Sequence, residues 1–132
     1  QEEEIFIVIE QKNQRRKMHV KEENGTLTAC YDISAEGNIV QYTFDRSNPE
    51  LDDKFILKIG EDISKKISER LEFSFRDIQD TYKTDIFKVG DYIKKHKPDL
   101  WEEIGDNWEE TFPKTKVEVN YNIKLRRTGI EG

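Results

Sequence analysis

Apolar and polar residues alternate with two different periods along this chain, and the changes of period mark its elements. Residues 5–9, Ile-Phe-Ile-Val-Ile, form a β-branched and aromatic run too short for a helix, which predicts a strand covered on both faces. A charged stretch follows to Lys17. Residues 18–23 then predict a weaker second strand with Met18 and Val20 on one face. Asn24-Gly25 is a hairpin signal, because both residue types accept the positive φ of a type I′ turn. The next strand places Leu27, Ala29, Tyr31 and Ile33 on one side and Thr26, Thr28, Cys30 and Asp32 on the other. Gly37-Asn38 reads as a bulge or turn, residues 39–44 continue or restart the strand, and Arg46-Ser47-Asn48-Pro49 breaks the sheet.

The period then changes from two to between three and four. Ile56, Ile59, Ile63, Ile67, Leu71, Phe75, Ile78 and Tyr82 form one apolar stripe, which predicts a helix from near Asp53 to near Lys83. Lys58, Asp62, Lys65, Glu69, Glu72, Arg76 and Gln79 fall on the opposite, solvated face. Gly60 interrupts this pattern, at about 1 kcal/mol relative to Ala. Thr84 or Asp85 caps a second helix over 86–95, since a side-chain oxygen there can accept free amide protons. Pro98 opens a short helical turn to Ile104, Gly105 ends it, and Asp106 or Asn107 starts another turn that carries Trp108 and stops at Pro113. In the final strand Val117, Val119, Tyr121, Ile123 and Leu125 alternate with Glu118, Asn120, Asn122, Lys124 and Arg126. The predicted fold is α+β: a mostly antiparallel sheet of about four strands packed by one long amphipathic helix, with shorter helices before the final strand. No repeat or low-complexity linker divides residues 1–132, which read as a single domain.

Composition narrows the chemistry. The 22 basic and 28 acidic residues give a net charge of −6, the wrong sign for nonspecific nucleic-acid binding and unfavourable for broad attachment to anionic lipid. No run approaches the ~18–20 apolar residues of a membrane span, and no export signal opens the sequence. The single cysteine, Cys30, reads as a small strand side chain. His19 and His96 lack metal-ligand partners at fixed spacing, so no metal or other cofactor is expected. There is no glycine-rich phosphate loop, no serine elbow and no His-Glu-x-x-His pattern, and no catalytic residue is assigned. Glu102-Glu103 and Glu109-Glu110 are sequence neighbours that do not face each other on a helix, so they make no acid/base dyad.

Two segments admit more than one reading. Trp101 and Trp108, seven residues apart, either form an aromatic platform for a sugar or other small molecule, or cover the end of the long helix and donate their N–H groups locally. Lys124-Leu125-Arg126-Arg127 is either a solvated strand end or a pair of guanidinium forks for a partner carboxylate or a lipid phosphate.

Four ordered motifs over residues 83–129 resemble the Ger(x)C family. Lys83-Thr84-Asp85-Ile86-Phe87-Lys88-Val89-Gly90 is similar to its "x-S/T-D-I-F-x-F-G" turn, with Val89 where the family carries Phe. Lys95-His96-Lys97-Pro98-Asp99-Leu100-Trp101 resembles its "basic-x-x-P-x-x-W" step. Asn107-Trp108-Glu109-Glu110-Thr111-Phe112-Pro113 resembles "x-W-x-x-x-F-P". Residues 117–129 resemble the closing "V-x-V-x-x-x-I-R-R-T-G", with Leu125 a mild substitution. The resemblance implies the C-terminal domain of the C-subunit lipoprotein of a spore nutrient-germinant receptor. It implies a lipid anchor on a cysteine near the parent's N-terminus, which is not Cys30, and a location on the outer face of the spore inner membrane. It further implies A and B receptor subunits and the preceding domains of the same chain as partners. The implied role in germination is an accessory, non-enzymatic one. The family supplies no ligand residue to carry over, so Arg126, Arg127 and, more weakly, Asp85 are taken from the strand-end and cap arguments as candidate interface residues.

Overall fold

The computed structural model describes residues 5–44 and 52–127; the Arg46-Ser47-Asn48-Pro49 break, residues 1–4 and Thr128-Gly129 lie outside the described residues. Strand β1 spans Ile5–Glu23 and strand β2 spans Thr26–Phe44. Asn24 and Gly25 between them have φ of 52° and 80°, the positive values that a type I′ turn requires. Helix α1 (Asp53–Tyr82) is followed by helices α2 (Val89–His96), α3 (Pro98–Ile104) and α4 (Trp108–Thr111), the last two with short 3₁₀ extensions. Strand β3 (Lys116–Arg127) closes the order.

Among the described residues the sheet holds three strands in the order β1-β2-β3, against the about four that the sequence predicts. Residues expected to form two separate strands before the turn belong to one strand of 19 residues, and Gly37-Asn38 lies inside β2 without interrupting it. The hairpin makes β1 and β2 antiparallel. Cys30 meets Glu118 and Asp32 meets Asn120 at the same separation of 88 residues, so β3 runs alongside β2 in the same direction. Such a parallel pair needs a long crossover connection, which α1 and the shorter helices supply.

These elements contribute to two compact units. The first takes in the described parts of residues 1–16, 33–67 and 121–132. Ile33, Ala35 and Ile39 of β2 are buried there with Ile123 and Leu125 of β3 and Ile56 of α1. A side chain at Gly37 would lie 2.9–3.0 Å from Ile9, Ile123 and Leu125, which places Ile9 on the core side of β1. Gln11, two residues on, accepts a hydrogen bond from the buried Tyr121 hydroxyl at 3.1 Å. Asn13 instead bonds Glu36 on the opposite face of β2. Alternation therefore slips by one residue between Gln11 and Asn13, as it does at a β-bulge. The amide of Ile123 in β3 donates to Ser64 Oγ of α1 at 2.9 Å.

The second unit comprises residues 17–32 and 68–120. Val20, Leu27 and Ala29 from the hairpin pack with Val89 and Ile93 of α2 and with Phe112. Phe75 of α1 meets Tyr31 edge-on at 5.0 Å and stacks on Phe87 at 4.6 Å. The amide of Val119 in β3 donates to Glu72 Oε1 of α1. Gln79 departs from the predicted solvated face: it is 3% exposed, and its side-chain amide donates to the carbonyls of Phe112 (2.7 Å) and Thr115 (2.9 Å). A primary amide can satisfy two backbone carbonyls at once, which compensates its burial. No helix among the described residues is long and apolar enough to cross a membrane.

Candidate functional site

Asp85 organises the short helices. It does not sit in α2, whose start lies three residues later than expected; Ile86 and Phe87 form a turn instead, with Ile86 half exposed. Lys83 and Lys88 both adopt left-handed conformations, at φ of 54° and 59°, and the chain folds back on itself between them. That reversal carries the Asp85 carboxylate to the first amides of α2. Oδ1 accepts from Val89 N–H at 2.8 Å and Oδ2 from Gly90 N–H at 2.7 Å. The capping role expected of Thr84 or Asp85 thus falls to Asp85, whose negative charge also suits the positive end of a helix. Oδ2 further accepts the Trp108 indole N–H at 3.2 Å.

Gly90 permits this arrangement. A Cβ there would stand 2.7 Å from Trp108 Nε1 and 3.1 Å from Asp85 Oδ2. Asp85 and Gly90, from one sequence motif, and Trp108, from another, are one packing unit. Trp101 and Trp108 are both half-buried against the core of the second unit, 5.8 Å apart with their planes tilted by 58°. Their rings are neither coplanar nor fully exposed. A cleft lined by Lys83, Thr84, Asp85, Trp108, Glu109 and Phe112 lies beside them, but Trp108 N–H and Asp85 already bond each other. The hydroxyl of Tyr31 is buried without a hydrogen-bond partner among the described residues. Burial, reinforced by the Asp85 charge, raises its pKa.

The other candidates lie in the first unit. Arg126 Nη2 stands 3.8 Å from Glu36 Oε1, and Arg127 Nη2 stands 3.7 Å from Asp53 Oδ1. These distances exceed those of direct charge-assisted hydrogen bonds, and both guanidiniums are about half exposed. Both border a cleft of about 640 Å³ between α1 and β3, with Ile56, Leu57, Gly60 and Leu125 among its apolar lining and Asp53 and Glu61 at its rim. Leu57 is 66% exposed, an apolar side chain open to solvent beside two cations. The structure does not bring Asp85 together with Arg126 and Arg127: they belong to different units.

Cys30 is buried and donates its thiol proton to Glu118 Oε2 at 3.3 Å. Burial first, then that hydrogen bond and the Glu118 charge, pushes the thiol up to about 11. Such a thiol is a poor nucleophile at neutral pH. His19 pairs with Asp32 at 3.4 Å, and His96 packs beside the Tyr92 ring at 4.5 Å. No group of three His, Cys, Asp or Glu side chains among the described residues is arranged to hold a metal.

Fold and site together define an α+β domain in which a hairpin and a parallel third strand are joined through a long crossover helix, with a carboxylate–indole staple in its short helices. The chain belongs to the family described as spore germination B3/GerAC like, C-terminal, which matches residues 1–129. It is similar to spore germination protein KC of Bacillus subtilis (strain 168), 28% identical over an alignment of 121 residues that covers 89% of this chain and 28% of that one. Spore germination protein YndF of the same organism is 26% identical over 98 residues, 74% of this chain and 24% of that one. Spore germination protein B3, also of B. subtilis (strain 168), is 22% identical over 126 residues, 96% of this chain and 33% of that one. The chain thus spans between about a quarter and a third of the length of these relatives. The crystal structure of the GerBC protein shares the fold, with a TM-score of 0.64 at 22% identity over 94% of this chain and 40% of that one.

Proposed function

We propose that this chain is a non-enzymatic interaction module of a germinant receptor complex and contributes to nutrient-triggered spore germination. Its partners on this reading are the A and B subunits of the receptor and the preceding domains of its own chain. The parent protein is lipid-anchored at the outer surface of the spore inner membrane. The family membership supports the setting. The observation that carries the interaction role is the surface at the end of β3, where Leu57 stands open to solvent beside Arg126 and Arg127. Mixed apolar and cationic surfaces of this kind suit recognition of another protein's carboxylates. A nutrient or sugar platform at Trp101 and Trp108 has less support, because the polar atoms of that segment bond one another.

The test is charge reversal in the intact receptor, with Arg126→Glu and Arg127→Glu made separately. The reading expects normal melting of the domain together with failed complex assembly and defective germination. Normal assembly and germination in both variants would reduce the two arginines to solvated strand ends. Unfolding of either would assign it a structural role.

A further inference from the structure

A second surface lies at the other side of the sheet. Among the described residues β1 is the terminal strand, bonded to β2 on one side only. On the opposite edge, β3 has the Ile123 amide occupied by Ser64 in the first unit and the Val119 amide by Glu72 in the second. For β1 in the first unit, no hydrogen bond from a helix side chain reaches the strand among the described residues. An open edge offers a row of backbone donors and acceptors to any strand that can approach.

Side chains decide which strand can. Residues 10–16 are all exposed, and they carry one acid, Glu10, against three bases, Lys12, Arg15 and Arg16. Lys12 is paired with Glu10 at 3.0 Å. Arg15 and Arg16 make no hydrogen bond or ion pair among the described residues. The register slip between Gln11 and Asn13 sets Arg15 on the side of Asn13 and Glu36, and alternation sends Arg16 to the opposite side. The edge thus shows a guanidinium without an ion pair among the described residues above and below the plane of the sheet, Arg15 sharing a cleft with Glu36, on a chain whose net charge is −6.

Charges and bulges on an edge strand keep like chains apart. That protection has a sign. It repels a second copy of this same edge and attracts a strand of opposite charge, so one device excludes self-association and selects a partner. We infer that the free edge of β1 over residues 10–16 is a docking site for an extended acidic segment of another polypeptide, which adds as a further strand with adjacent carboxylates meeting Arg15 and Arg16. Main-chain hydrogen bonds supply the pairing and the two guanidiniums supply the preference. This surface is independent of the Arg126 and Arg127 reading and stands if that reading fails.

The experiment titrates the isotope-labelled 132-residue chain with an end-blocked Thr-Val-Glu-Glu-Val-Thr peptide. The same peptide with Lys for Glu, the N-methylated acidic peptide, disordered polyglutamate and phosphatidylglycerol vesicles serve as comparisons. The expected result is slowed amide exchange and shift changes confined to residues 10–16 with the acidic peptide alone. The double variant Arg15→Glu/Arg16→Glu should weaken that binding at least about tenfold, since two attractive pairs are each turned repulsive, and should accept the Lys peptide instead. Should the reversed variant fold poorly, Arg15→Gln/Arg16→Gln must show the same loss without the gain. Equal binding of the Lys peptide, or of the N-methylated peptide, overturns strand addition. So does equal binding of polyglutamate without amide protection, which reduces the edge to an ionic patch. Binding of vesicles but not of the peptide assigns the edge to a membrane surface and overturns the inference, as does the absence of any peptide binding.

Discussion

Replacing Gly90 with alanine puts two general rules in opposition. Alanine in a helix is more stable than glycine by about 0.5–1 kcal/mol, so a glycine in α2 invites substitution. Here the added methyl would stand 2.7 Å from Trp108 Nε1 and 3.1 Å from both Trp108 Cε2 and Asp85 Oδ2. Neither neighbour is a flexible tip. The indole is held beside Trp101 and Phe112, with ring centroids 5.8 and 5.7 Å away, and the carboxylate is fixed by two backbone amides. Overpacking of this kind costs about 1–3 kcal/mol. Displacing the indole from its charged acceptor adds about 1.5–3 kcal/mol. After the helix gain is subtracted, Gly90→Ala should destabilise by roughly 1.5–5.5 kcal/mol, a fall in Tm on the order of 5–20 °C for a domain of this size. Thermal and urea unfolding followed by circular dichroism measure it. In a Trp108→Leu background the clash is relieved, and Gly90→Ala should cost at least ~1 kcal/mol less. A Gly90→Ala variant that melts at or above the parent temperature would refute the staple.

Four further outcomes follow from the same geometry. Asp85→Ala removes acceptors from two helix amides and an indole, and calorimetry should show a loss of about 2–3 kcal/mol. Gln79→Leu leaves the carbonyls of Phe112 and Thr115 without their donor, and should lower the urea midpoint by the equivalent of ~1–3 kcal/mol, whereas Arg76→Leu nearby should change it little. Ile67→Asp places a charge on the half-buried stripe of α1 and should abolish cooperative unfolding; a variant that melts like the parent would show that the stripe is not core. For Cys30 the folded thiol titrates near 11 against an ordinary value of 9.0, so its contribution to stability is complete below pH 9 and is lost as pH rises through 11. Cys30→Ala should flatten that part of the stability profile, and in the folded chain the thiol should resist iodoacetamide at pH 8.

Regular periodicity was readable; local irregularity was not. The stripe of isoleucines predicts α1 within a residue at each end, and Pro98 marks the start of α3. Alternation defines β3, and Asn24-Gly25 defines the hairpin. The polar run 10–17 was unreadable as strand because a strand at a sheet edge needs no apolar side chains, and the slip near Asn13 destroys the two-residue period that would have joined its halves. Gln79 carries no local signal, since its carbonyl partners lie 33 and 36 residues away. The start of α2 was misplaced because Asp85 caps through a turn held by two left-handed lysines, and left-handed lysine is not anticipated by propensity. Of the candidate sites, the sequence motifs held Asp85 and Gly90 in one segment and Trp108 in another; only the distances show them to be one unit.

The parallel pairing of β2 with β3 has a bearing on how the domain comes into being. Cys30 bonds a residue 88 positions away, and Gln11 one 110 positions away. During synthesis the hairpin and α1 emerge long before the strand that completes their sheet. Until residues 116–127 arrive, the outer edge of β2 is open and Glu72 and Ser64 of α1 lack the Val119 and Ile123 amides they accept from. High contact order of this kind slows folding and prolongs the exposure of sticky intermediates. Loss of residues 116–127 should therefore trap a nascent chain in an aggregation-prone state instead of producing a slightly shortened domain, so that the hairpin and α1 wait on this one strand to complete their fold.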